Sequence, residues 1–356
     1  MSDPTFQTPS VGLCGLGSIG SHVGRLLLDH RRGFEIVAAA TKEPDAIGRR
    51  LGDVVGAEIA AGPVVVENLP EVLAARPDVV VYSTGSFMRD TAEDVLTVAS
   101  AGAHLVSPCE ELAFPYRRFE EDAAHIDAAA RERGVTIVGT GVNPGFIFDA
   151  LLLTATGVCW DVSAIRGRRV VDVVGFGENI HLRLGIGYTQ DEFERGHADG
   201  SIAGHVGFPE SIEMVCERLG LELDGPVEEK FEPFVAETPA PTKYGEVDRG
   251  RTEGFVQRAV GTIAGEARIQ LELVLHLRPQ SAGFEPSDSI ELDGIHPVRL
   301  TLKPGMDAIL ATSAQLVNCI PVVINSSPGL LSVKDLPPTT AWLGDLADSV
   351  IRSRPG

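Results

Sequence analysis

Two short stretches hold residues whose types and spacing can do chemistry. The first is Gly15-Leu16-Gly17-Ser18-Ile19-Gly20, a GxGxxG run. An apolar, strand-like segment (Ser10–Cys14) precedes it, and Val23, Leu26 and Leu27 follow at helical spacing. In that setting the first glycine turns the chain, the second admits a pyrophosphate close to the backbone, and the third lets helix and strand pack. The free N–H groups and positive end of the helix then bind the phosphates. Alone, the run is only a turn rich in glycine; its flanks point to a dinucleotide. The second stretch is Cys109-Glu110-Glu111, reached through Pro108 after the apolar segment His104–Ser107. Cys109 as a nucleophile is disfavoured, because two adjacent carboxylates starve a thiol of thiolate. A proton-shuttling carboxylate fits better, with Glu110 or Glu111 partly desolvated at the cofactor edge. The competing reading puts both glutamates at the start of a following helix, favoured by its dipole.

The end of the second strand decides between the two nicotinamide dinucleotides. An NAD-selective site places Asp or Glu there, roughly 20 residues past the glycines. This chain has Ala39-Ala40-Thr41-Lys42, with Arg49 and Arg50 close behind and Glu43 past the expected position. Thr41 offers a donor and Lys42 a charge to a 2′-phosphate, so the expectation is NADP, with NAD tolerated. The bland reading leaves Lys42 a solvated loop charge. Ser83, Thr84 and Gly85 follow the DVVVYS run and suit the approach of a nicotinamide ribose, or form an ordinary strand–helix turn. In Gly-Thr-Gly-Val-Asn-Pro-Gly-Phe (139–146), Asn143 either binds a carboxamide or holds a hinge. Val142, Phe146 and Ile147 beside it are candidate substrate contacts, with His181, Tyr188 and Phe208 further on. As isolated groups, Tyr188 and Phe208 are more often core, and His181 more often a satisfied structural histidine. No metal-ligand cluster is visible.

These residues need a scaffold, and the hydrophobic pattern supplies one. Phe34–Thr41, Val64–Val66, Asp78–Ser83, His104–Ser107 and Val135–Thr140 are short apolar runs, and helical stretches at Ala92–Ala101 and Tyr116–Arg133 separate the last three. Such alternation predicts a parallel sheet covered on both faces. Beyond it, Ile269, Leu271, Leu273, Leu275 and Leu277 alternate with polar residues. Val298, Leu300 and Leu302 do the same after an Asp293-Gly294 turn. Period-two patterning predicts antiparallel sheet with one face buried. Residues 225–251, rich in Pro, Glu and Thr, read as a long loop, and the chain from Asp307 returns to helical patterning. The expected fold class is α/β. A Rossmann dinucleotide-binding domain covers 1–147 and an α+β substrate-binding and dimerisation domain, with a largely antiparallel sheet, covers 148–305. A helical segment over 306–356 packs back on the first domain.

Composition narrows the function classes. The 356 residues carry 50 acidic against 30 basic side chains, a net charge of −20, which repels nucleic acid and anionic membrane. The five cysteines (Cys14, Cys109, Cys159, Cys216, Cys319) are dispersed with no CxxC pair, consistent with a reducing compartment. Met-Ser-Asp-Pro-Thr at the start shows no secretory pattern, and no apolar run reads as membrane-spanning. The expected location is the cytoplasm.

The GLGSIG turn, the SPCEEL segment (107–112), GTGVNPGF (139–146) and PGLLSVKDLP (328–337) together resemble the native amine dehydrogenase and 2,4-diaminopentanoate dehydrogenase family. Its architecture is that of dihydrodipicolinate reductase, and the likeness runs from Val11 to about Pro338. Genuine dihydrodipicolinate reductases carry a paired-histidine motif; here His181, His197, His205, His276 and His296 are all isolated. The resemblance implies reversible reductive amination: a ketone or aldehyde, ammonia and NADPH giving a primary amine. It also implies that Glu110, the first glutamate after the cysteine, is catalytic. Arg166, Arg168 and Arg169 either clamp a substrate carboxylate or, as three basic residues on one strand, lie on a solvated or interface face. Two other classes stay open: a C–O dehydrogenase of the homoserine or semialdehyde type, and a silent nicotinamide-binding regulator. A homodimer is expected through the second domain, whose regular sheet needs cover. Coverage by the 225–251 loop is the alternative.

Overall fold

The computed structural model describes residues 8–202 and 204–350. The Met1–Thr5 stretch and the last six residues of the 306–356 segment lie outside them. Two compact units result. One is built from the chain up to Phe146 together with the chain from Ala308 onward, the other from Ile147–Asp307.

The first unit holds a seven-stranded parallel sheet. Its strands are β1 (Ser10–Cys14), β2 (Glu35–Ala40), β3 (Val65–Val66), β4 (Val79–Tyr82), β5 (His104–Ser107), β6 (Thr136–Gly139) and the late strand Gly329–Leu331. Their spatial order is Gly329–Leu331, β6, β5, β4, β1, β2, β3, so the order reverses beside β1 and opens a crevice at the strands' carboxyl ends. The strands are mostly apolar, with polar residues mainly at their ends, because helices cover both faces. Helix Ser18–His30 buries Val23 and Leu27, and helix Met88–Ala101 buries Val95, Val98 and Ala99. Helix Ala308–Asn325 is long and apolar enough by composition to cross a bilayer, a length that was not apparent in the sequence. Its packing makes it a core helix: Leu316, Val317, Cys319, Ile320 and Val323 are buried with Val11, Leu13 and Val79.

The second unit is a six-stranded mixed sheet: β7 (Ala164–Asp172), β8 (Glu228–Val235), β11 (Thr252–Ile263), β12 (Glu266–His276), β13 (Ser287–Asp293) and β14 (Val298–Leu302), with a small β9–β10 ribbon (Ala240–Thr242, Gly245–Val247). Only the β7–β12 pairing is parallel. Two expectations fail here. Residues 225–251 are not a long loop, since they form β8 and the ribbon. Strand β8 lies at the sheet edge, where its glutamates reach water and Pro233 removes no ladder bond. The arginines of β7 do not share a face either, because side chains alternate along a strand. Arg166 and Arg168 join an outer ladder in which Arg168 reaches Glu272 at 2.7 Å and Arg258 bridges Glu272 at 2.8 Å and Glu232 at 3.0 Å. Arg169 points the other way, 2% exposed, and pairs at 2.9 Å with Asp288, itself 1% exposed. The two anchor Met306: Arg169 donates to its carbonyl and its N–H donates to Asp288.

Candidate active site

The glycine turn is built as its spacing requires. Gly15 has φ +88°, and a Cβ there would lie 2.4 Å from the Ser83 carbonyl oxygen. A Cβ on Gly20 would lie 1.8 Å from the Gly15 oxygen, so only glycine brings helix and strand this close. Around Gly17 nothing lies within 4 Å, which leaves open space for a ligand against the backbone. Gly17 also begins the helix Ser18–His30 without any side-chain cap, leaving the first-turn N–H groups for a ligand. The turn is pinned by Gly15 N–H donating to the Ala40 carbonyl and Ser83 N–H to the Cys14 carbonyl. Ser83 Oγ is buried beside it with no hydrogen-bond partner among the described residues. An uncapped helix, an open cradle and an unused hydroxyl fit a dinucleotide pyrophosphate and ribose.

At the end of β2, the Thr41 side chain is buried and its Oγ1 accepts from the Glu43 N–H at 3.3 Å. Lys42 beside it is exposed.

The Glu110 segment grows out of β5. Ser107 Oγ donates to the Tyr82 carbonyl at 2.7 Å and accepts from the Cys109 N–H at 3.1 Å, tying the ends of β4 and β5 together. Cys109 is fully buried against Thr91 Oγ1, and its thiol is pushed up to about 11, chiefly by burial, with the Glu110 and Glu111 charges adding. A thiol in that state is no nucleophile. The two glutamates part company. Glu111 is buried; its Oε2 accepts from the Met88 N–H at 2.6 Å, and Arg118 stands 3.9 Å from its other oxygen. It therefore caps helix Met88–Ala101, which precedes it in sequence, and not a helix that follows. Glu111 N–H also donates to the Ser86 carbonyl, latching this segment to the loop after β4. Glu110 is half-buried at the same sheet edge.

The 139–146 loop leaves β6 at that edge. Thr140 N–H donates to the Ser107 carbonyl at 2.8 Å and Val142 N–H to Thr312 Oγ1 at 3.2 Å. Gly145, at φ +127°, closes so tightly that a Cβ would fall 2.4 Å from the Gly141 nitrogen. Asn143 Oδ1 and Thr140 Oγ1 are buried without hydrogen-bond partners among the described residues. Thr140 was missed in the sequence, although a hydroxyl between two glycines at a strand end is a readable signal.

One edge of the first unit thus carries Gly15–Gly20, Thr41, Lys42, Ser83, Thr84, Gly85, Glu110 and Asn143. The remaining candidates are packed otherwise. Val142 is buried in the same unit and Phe146 half-buried, while Ile147 is buried in the second. His181 is buried, with Nε2 2.7 Å from the Val173 carbonyl and its ring edge-on to Tyr244. Phe208 is enclosed by Phe148 and His205. The Tyr188 carbonyl accepts from the Thr252 N–H at 2.7 Å.

The model of the 2,4-diaminopentanoate dehydrogenase C-terminal domain matches residues 146–352, more than half of the chain. Over 351 residues the chain is 32% identical to 2,4-diaminopentanoate dehydrogenase of Acetoanaerobium sticklandii, covering 97% of this chain and 98% of the relative. The chain belongs to the 2,4-diaminopentanoate dehydrogenase family. It is an oxidoreductase. It is also 26% identical over 344 residues to an amine dehydrogenase of Streptomyces virginiae, covering 91% and 94% of the two chains. Its fold matches the structure of amine dehydrogenase from Mycobacterium smegmatis with a TM-score of 0.83 at 24% identity, over 94% of this chain and 98% of that one.

Proposed function

We propose that this chain is an NAD(P)H-dependent amine dehydrogenase that interconverts a ketone or aldehyde plus ammonia with a primary amine. The observation that carries this reading is the division between two adjacent carboxylates. Glu111 is committed to the head of a helix, whereas Glu110 sits half-buried at the edge that bears the glycine turn. Family membership supplies the amine chemistry.

Glu110 as carboxylate holds ammonium and takes its proton, freeing the amine to add to the carbonyl carbon. As the acid it returns that proton to the carbinolamine hydroxyl, which leaves as water. The regenerated carboxylate then faces the iminium and stabilises its charge. Gly15–Gly20 would hold a nicotinamide dinucleotide, which would supply hydride chemistry to the iminium carbon. Asn143 Oδ1 suits a carboxamide N–H, because it is an acceptor with no partner of its own.

The preferred cofactor in this reading is NADP. Thr41 Oγ1 already accepts from the Glu43 N–H, so its own proton remains for an acceptor such as a phosphate oxygen, and Lys42 adds charge. The units divide the work into dinucleotide binding over 1–147 and substrate binding and dimerisation over 148–305, with 306–356 completing the first. The outer ladder face of the second sheet pairs with a second copy, and the enzyme works in the cytoplasm on small molecules.

NADPH oxidation on a panel of small ketones and aldehydes, including the keto-amino acid corresponding to 2,4-diaminopentanoate, tests the chemistry. Turnover must require ammonium. Turnover that ignores ammonium makes the chain a C–O dehydrogenase. Sedimentation at micromolar concentration tests the dimer: a single species at the 37.8 kDa monomer mass overturns it.

A further inference from the structure

Lys334, in the late PGLLSVKDLP motif, is held off water in a strongly acidic chain: its side chain is only 12% exposed. Its Nζ lies 2.7 Å from Asp335 Oδ1 and 6.0 Å from the centre of the Phe114 ring. The topology explains why it meets that ring. Strand Gly329–Leu331 runs parallel to β6 with Leu331 opposite Val138, and β6 runs parallel to β5 with Gly139 opposite Ser107. Parallel strands end at one edge, and Lys334 stands as far past Leu331 as Glu110 stands past Ser107. Two strand spacings separate them, roughly 10 Å. The segment after Glu110 is fastened to this strand as well. Tyr116 Oη donates to the Leu330 carbonyl at 2.7 Å, and the Phe114 and Tyr116 rings pack edge to face at 5.1 Å. Turn Val333–Asp335 is rigid, since Ser332 and Asp335 form a reciprocal capping box.

We propose that Lys334 is a positioning residue for Glu110: its ammonium clamps Phe114, fixes the turn that carries Glu110, and keeps a positive charge on that carboxylate's flank. This rests on the role given to Glu110 above. Lys334 brings its charge to this edge from the neighbouring strand, with Asp335 holding its ammonium and the Phe114 ring beside it.

The test compares Lys334→Met, similar in length but uncharged, with Lys334→Arg. With 2,4-diaminopentanoate and NADP+, Lys334→Met lowers kcat on the order of 10²-fold, as a misplaced catalytic group does, while NADP+ affinity and thermal midpoint stay near wild type. Lys334→Arg recovers most of the rate. A second readout needs no turnover. Water-soluble carbodiimide attacks the protonated carboxyl, so at pH 6 peptide mapping finds Glu110 labelled about tenfold faster in Lys334→Met, the effect of one charge removed at this range. Equal labelling and equal kcat in all three proteins overturn the inference, as does a loss of rate that Arg fails to restore. Full activity of Glu110→Gln sinks the proposed mechanism instead and leaves the labelling result standing.

Discussion

The two units solve the problem of holding charged groups in opposite ways. The first holds Glu110 and the glycine turn at a sheet edge with backbone bonds, each to a neighbouring strand end: Gly15 to Ala40, Ser83 to Cys14, Thr140 to Ser107. The second keeps its strongest charges away from any edge. Arg169 and Asp288 are buried together as an ion pair at 2.9 Å, and each is hydrogen-bonded to the Met306 backbone. An edge bound by the backbone does not spend its side chains on holding the fold, whereas the buried pair is held by charge and by its two bonds to Met306. The proposed chemistry uses the first arrangement, and the second anchors a turn.

The contrast can be broken by removing one charge from each. Glu110→Gln keeps shape and fold, and should cost turnover on the order of 10²–10⁴-fold while cofactor binding and melting temperature hold. Glu111→Gln in the same assay should cost far less rate. The reverse ranking assigns the shuttle to the wrong glutamate. Arg169→Leu should instead destabilise the second unit by about 3–5 kcal/mol, because Asp288 is left buried and unpaired. Urea unfolding reads that directly, with Arg166→Ala on the exposed ladder expected within about 1 kcal/mol of wild type. If the two arginine variants lose equal stability, the buried pair is no anchor. The smallest change sharpens the cofactor side: Lys42→Asp should move the NADPH-to-NADH preference about tenfold toward NADH, a ratio worth roughly 1.4 kcal/mol. Tighter binding of NADH than NADPH by the unaltered protein removes the basis for that expectation.

What the sequence made legible follows the range of each signal. The glycine turn, the strands through β6 and the alternating strands β12 and β14 are written in contiguous residues, and the structure places them within a few positions of their expected bounds. Glu110 was legible as one of a pair. Separating it from Glu111 required Met88, which is remote in sequence and reached only through the fold. Strand β8 was hidden because an edge strand tolerates glutamate and proline, residues that otherwise signal a loop. The burial of Arg169 was hidden because Asp288, on a different strand, is what makes it affordable.

The path of the chain through the first unit also sets a timetable for its synthesis. The outer edge of β6 is closed by Gly329–Leu331, and the whole of Ile147–Asp307 is translated in between. At roughly 5–20 residues per second, that interval lasts about 10–30 s. Throughout it, a nascent chain already displays the glycine turn and Glu110 beside an open strand edge. Helix Ala308–Asn325, buried with Val11, Leu13 and Val79, is also made only after that interval, so a chain released early lacks both this cover and the partner strand of β6.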